Sequence, residues 1–140
     1  MNPRIRALGE TVLRVKDLQR VKRFYTEIIG LDVLREVDSI VFLKISDGYG
    51  GHTQIVGLFS ESLPAPFPQD AVQLESTALH HFALEIDKAD FDVELARLQR
   101  LGVEVTTAEH RWCQWRSLYV RDPEGNILEL VCYDDAIAPG

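Results

Sequence analysis

Tyr119-Val-Arg-Asp-Pro-Glu-Gly-Asn-Ile-Leu-Glu-Leu-Val131 reads as a strand, a tight turn and a second strand. Asp122 can bond its own backbone, Pro123 pre-sets φ and Gly125 relieves the exit, so the stretch predicts a hairpin. Along its second strand a period of two puts Leu128 and Leu130 on one face, with Ile127, Glu129 and Val131 on the other. Glu129 therefore sits between apolar neighbours, where a carboxylate is costly unless it is solvated, paired or bound to a metal.

Outward from this hairpin the second half of the chain takes shape. His81 to Ile86 alternates as a strand, with Phe82, Leu84 and Ile86 opposite His81, Ala83 and Glu85. Asp87 or Asp90 caps a helix whose stripe is Phe91, Leu95, Leu98 and Leu101, and Gly102 ends it. Val103 to Val105, Ser117 to Arg121 and Asn126 to Tyr133 supply three more strands, with His110 in a loop between the first two. The first half repeats the order. Ala7 to Val15 is a strand with Glu10, Val12 and Arg14 on one face. Asp17 caps a helix carrying Leu18, Val21, Phe24, Tyr25 and Ile28, stopped by Gly30. Leu31 to Leu34, Ser39 to Ile45 and Gln54 to Phe59 follow as strands.

Counting confirms that the halves are copies. Gly30 follows Glu10 by 20 residues and Gly102 follows His81 by 21; Gly57 follows Glu10 by 47 and Glu129 follows His81 by 48. Glu10, His81, Gly57 and Glu129 thus occupy equivalent positions, and three of the four carry groups able to bind a metal. The expected fold class is α+β: two tandem βαβββ modules, about 7–60 and 79–134, forming an open, cup-shaped mixed sheet with helices outside. A proline-bearing connector, about 60–78, joins them within one domain spanning 1–140.

Composition bounds the function. Fifteen Lys and Arg against 22 Asp and Glu leave a net charge of −7, with no basic stripe to neutralise phosphates, so nucleic acid is excluded as a partner. No apolar run of about 18 residues and no signal-peptide core is visible, so the expectation is a cytoplasmic protein without a membrane partner. Cys113 and Cys132 have no metal or redox spacing and read as reduced thiols.

Three stretches together make the chain resemble the vicinal oxygen chelate superfamily of glyoxalases, bleomycin resistance proteins and extradiol dioxygenases. They are Val15-Lys-Asp-Leu18 leading to Phe24-Tyr25 and Gly30-Leu31, then His80-His81-Phe-Ala-Leu-Glu-Ile86, and Arg121-Asp-Pro-Glu-Gly-Asn126 to Glu129-Leu130. The resemblance implies a divalent metal (Fe, Mn, Ni, Co or Zn) held by Glu10, His81 and Glu129, with Glu10 where members usually carry His and Gly57 unable to ligate. It also implies a homodimer and a small oxygen-rich substrate chelated through neighbouring oxygens, in a lyase, isomerase or dioxygenase reaction. Glu129 or Glu10 would detach as a base, and Tyr119, ten residues before Glu129, would assist. Trp112, Trp115 and Arg116 are the expected substrate-binding residues at the pocket mouth. His80 and His110 read as structural or pocket-edge groups, and His52 and Gln54 as weaker ligand candidates. The alternative implied by the same resemblance is a metal-free small-molecule binding or resistance protein.

Overall fold

The computed structural model describes Arg4 and residues 6–51, 53–63 and 79–140; most of the expected connector, and His52, lie outside the described residues. The chain divides into two compact units, Met1–Gln73 and Leu74–Gly140. Each is an α+β unit built on one four-stranded mixed sheet.

In the first unit, β1 (Glu10–Val15) leads into α1 (Leu18–Arg23), followed by β2 (Asp32–Val37), β3 (Ile40–Asp47) and β4 (Thr53–Ser60) in the sheet order β1-β4-β3-β2. The side chain of Asp17 accepts a hydrogen bond from the Arg20 amide at 3.1 Å, satisfying one of the donors left open at a helix start. The helix continues as a π-turn, Phe24–Ile29, and Gly30 closes it with φ 95° while the amides of Gly30 and Leu31 both donate to the Tyr25 carbonyl. This places Val21 and Tyr25 in the core with Leu13, Val15, Val41, Leu43, Val56 and Leu58. Burial of a side chain such as Val21 contributes about 1.5–3 kcal/mol.

The second unit has the same order: β5 (Phe82–Glu85), α2 (Phe91–Arg100), β6 (Thr106–His110), β7 (Trp115–Arg121) and β8 (Ile127–Tyr133), arranged β5-β8-β7-β6. In both units the first strand runs parallel to the last and the other pairs are antiparallel. Register carries the repeat further than counting does. Val12, two residues after Glu10, pairs with Gly57, and Ala83, two after His81, pairs with Glu129. Across the next ladder Gly57 faces Phe42 and Glu129 faces Tyr119, which makes Phe42 the counterpart of Tyr119.

Three expectations from the sequence give way to the structure. The strand read at Val103 to Val105 begins instead at Thr106, because Gly102 (φ 76°) and Val103 are consumed in ending α2, their amides donating to Gln99 and Leu98 carbonyls at 3.0 Å. His110 consequently belongs to β6 rather than to a loop. The helix stops at Arg100, which leaves Leu101 outside the apolar stripe and 50% exposed.

The turn that decided the reading is tied together by one buried side chain. Asp122 accepts from the Glu124 amide (2.9 Å), the Asn126 amide (3.0 Å) and Asn126 Nδ2 (2.9 Å). Asp122→Ala strips those donors of their acceptor, and the expected cost is about 2–3 kcal/mol, read as a lower urea midpoint at unchanged m-value. A midpoint equal to that of the parent protein would show that Pro123 and Gly125 suffice to form the turn.

Candidate active site

Alternation along the strands of the second unit separates two faces. Leu84, Leu118, Val120, Leu128 and Leu130 are buried on one, the side that also receives Phe91 and Leu98 of α2. The other carries Ser117, Tyr119 and Glu129. Glu129 is only 5% exposed, and both its oxygens are engaged. Ser117 Oγ donates to Oε2 at 2.8 Å, and His81 Nε2 lies 3.2 Å from Oε1. Among the described residues no buried polar side-chain atom lacks a partner.

The remaining contacts extend this pair. His81 Nδ1 is 2.7 Å from His80 Nδ1, so one of the two nitrogens carries the shared proton. The Tyr119 ring stands edge-on to His81, centroids 6.1 Å apart at 80°, and its hydroxyl is 3.0 Å from His110 Nε2. Burial pushes the Tyr119 phenol above its usual range; the Ser117 hydroxyl pulls the other way, and the negative charge of Glu129 adds to the rise. The group is thus a neutral phenol at physiological pH, able to donate a hydrogen bond.

The donor set suits a divalent ion. Metal–nitrogen and metal–oxygen bonds of about 2.0–2.2 Å bring adjacent ligand atoms to about 3 Å from each other, and His81 Nε2 and Glu129 Oε1 stand 3.2 Å apart. When His81 donates its Nδ1 proton to His80, Nε2 keeps the lone pair that a metal requires. Ser117 fixes the other carboxylate oxygen, a contact that would orient Glu129 toward an ion. Among the described residues no three His, Cys, Asp or Glu side chains come together as a metal-binding group.

In the first unit Glu10 is exposed at the start of β1. A Cβ built on Gly57 would lie 3.0 Å from Glu10 Oε1, 3.0 Å from Phe59 Cε1 and 3.4 Å from Val12 Cγ2. The carboxylate therefore rests over a glycine that leaves room for it. Phe42 and Phe59, rings 6.0 Å apart, flank this spot. The positions equivalent to Ser117, Tyr119 and Glu129 are Ile40, Phe42 and Gly57, all without a polar side chain, and the register places Glu10, Arg14 and Lys44 around them on the same face.

Trp115 shares the Ser117 and Tyr119 face of β7, and Trp112 stands in the preceding turn, 79% exposed. Arg116, expected beside them, faces the other way. Its guanidinium stacks 4.2 Å above the Phe91 ring and donates to Asp92 at 3.0 Å, which ties β7 to α2. Gln54 is taken up by Ser46, whose hydroxyl donates to it at 3.2 Å. Ser117 had not been singled out from the sequence, although its place two residues before Tyr119 puts it on the Glu129 face.

Residues 7–130 match the Glyoxalase/Bleomycin resistance protein/Dioxygenase superfamily. A lactoylglutathione lyase of Escherichia coli O157:H7 is 31% identical over 135 residues, 92% of this chain and 94% of the relative. A catechol-2,3-dioxygenase of Bacillus subtilis is 31% identical over 126 residues; the match takes 88% of this chain but spans 40% of that enzyme's length. The crystal structure of a lactoylglutathione lyase from Agrobacterium tumefaciens superposes with TM-score 0.69 at 30% identity, covering 94% of this chain and 96% of the other. Among the described residues no helix is long and apolar enough to cross a membrane.

Proposed function

Because the chain belongs to the Glyoxalase/Bleomycin resistance protein/Dioxygenase superfamily, we propose that it is a metal-dependent enzyme binding a small substrate through two neighbouring oxygens. His81 and Glu129 are the core of the metal site, and the assembled form is a homodimer. The observation that carries this reading is the His81 Nε2 and Glu129 Oε1 pair, set at the spacing of adjacent ligands and oriented by Ser117. An imidazole nitrogen and a carboxylate oxygen suit Mn²⁺, Fe²⁺, Co²⁺, Ni²⁺ or Zn²⁺. Such an ion supplies Lewis acidity toward a substrate hydroxyl or carbonyl.

The chain's own groups do the rest. Glu129, buried on the sheet face, holds negative charge where a cation is favoured. Tyr119, across the ladder from Glu129, presents a neutral phenol as hydrogen-bond and proton donor to a substrate oxygen that gains charge. His110 Nε2–H, donating to the phenol oxygen across their 3.0 Å contact, would replace the proton that the phenol gives up. Catechol and lactoylglutathione, which the relatives' names carry, are the first compounds to assay.

Metal analysis of untagged protein tests the reading, and a thermal scan supplies the second arm. Chelation is expected to lower Tm by roughly 5–10 °C, since removing a ligand present at about 100 times its Kd removes about 2.7 kcal/mol. No bound ion, together with a Tm indifferent to chelator, would sink the enzyme. It would leave the metal-free binding module, which one observation favours: Glu129 is already satisfied by His81 and Ser117 without an ion.

A further inference from the structure

Trp112 and Trp115 are the two tryptophans of the chain. Their rings lie 6.3 Å apart, tilted by 42°, and they are 79% and 43% exposed. The turn that carries them is nevertheless fastened from behind by the C-terminal segment. Gln114 Nε2 donates to the Ile137 carbonyl at 2.9 Å, the Asp134 amide donates to the Gln114 carbonyl at 2.8 Å, and Arg111 Nε donates to the Ala138 carbonyl at 3.1 Å. Ile137 is buried beneath, and Gln114 is held in the left-handed region at φ 56°. A turn anchored in this way presents large apolar rings to water in a fixed pose, and a pre-arranged aromatic surface is what lowers the ordering cost of stacking a ligand.

The rings also join the site already described. Trp115 is paired across the ladder with His110 on one side and Tyr133 on the other. His110 reaches the Tyr119 hydroxyl, and Tyr119 stands against His81. An aromatic row therefore runs along one face of this unit's sheet from His81 to Trp112. Tyr119 lies four positions after Trp115 along β7, about 13 Å of strand.

We propose that Trp112 and Trp115 form a distal subsite that stacks a planar aromatic arm of the substrate, joined by a spacer of about 10 Å to the oxygen-bearing head held at His81 and Glu129. This inference rests on the metal-site reading and names the substrate class that the reading leaves open: an elongated molecule with an oxygen-chelating head and a flat ring at the far end.

Hydroxamates test it, because they chelate a divalent ion through two neighbouring oxygens whatever tail they bear. Zinc-loaded full-length protein is titrated by calorimetry with acetohydroxamate, with decanohydroxamate and with 6-(2-naphthyl)hexanohydroxamate. The two tryptophan indole N–H signals are followed by NMR and assigned with the single Trp112→Ala and Trp115→Ala variants. The naphthyl tail is expected to bind roughly tenfold more tightly than the alkyl tail and to shift both indole signals. Each tryptophan variant should lose that gain while binding acetohydroxamate as the parent does. Equal affinity for the two tails with unmoved indole signals overturns the subsite, as does a gain that survives in both variants. Indole signals that change on dilution without ligand also overturn it, since a second copy of the chain then covers the pair. If acetohydroxamate itself does not bind, the metal-site reading fails. 2-Naphthaleneethanol, which has no chelating oxygens, still decides the subsite by shifting or not shifting the indole signals.

Discussion

Glu129→Gln is expected to weaken divalent-ion binding by at least roughly 100-fold and to lower turnover roughly 10³-fold, with little change in stability. The amide keeps the shape of the carboxylate but removes its charge, so the substitution separates a ligand from a packing residue. Glu129 is 5% exposed, and Ser117 already occupies one oxygen. A buried carboxylate carries a desolvation cost that its neutral isostere escapes, and the amide can still meet Ser117 and His81. The unfolding free energy of the metal-free variant should therefore lie within about 1 kcal/mol of the parent. A purely structural pair between His81 and Glu129 predicts the reverse pattern, with stability falling and ion binding unchanged. Competition against a zinc indicator together with urea unfolding, both on the same two proteins, discriminates between them. Equal zinc affinities in parent and variant would remove Glu129 from the site.

Much of this was legible before any coordinates. The hairpin, the repeat and the equivalence of Gly57 with Glu129 follow from turn chemistry and counting, and the ladder registers agree with both. Tyr119 was legible for the same reason: once the turn is centred near Glu124, an antiparallel partner of Glu129 must fall at Tyr119. Arg116 could have been placed too, since it is one residue out of phase with Ser117 and Tyr119 and must point toward α2. What could not be read is where β6 begins. Val103 and Val105 alternate as well as a strand does, and only the hydrogen bonds that end α2 show Val103 to belong to its exit. A strand displaced by three residues hides the cross-strand pairing of His110 with Trp115, and with it the bond from His110 to Tyr119. The serine was missed for a different reason. A hydroxyl gains its part only from the carboxylate beside it, and nothing in Trp115-Arg-Ser-Leu118 marks one.

That His110 to Tyr119 bond gives the second large effect. Tyr119→Phe is expected to slow turnover roughly 10²-fold and to weaken acetohydroxamate binding to the zinc-loaded protein roughly tenfold, while zinc affinity stays within about twofold. The ring itself is retained, so its edge contact with His81 survives and only the hydroxyl is lost. His110→Ala removes the partner of that hydroxyl and should produce a smaller loss of the same kind, because the phenol remains but is no longer aimed. If the two side chains act as one proton-handling unit, the double variant is no slower than Tyr119→Phe alone, and the double-mutant cycle shows coupling nearly as large as the His110→Ala effect itself. Losses that simply multiply would mean that each residue contacts the substrate independently. Should Tyr119→Phe bind acetohydroxamate as tightly as the parent, the phenol does not reach the bound oxygens. Its hydrogen bond with His110 would then be a packing feature of the sheet face.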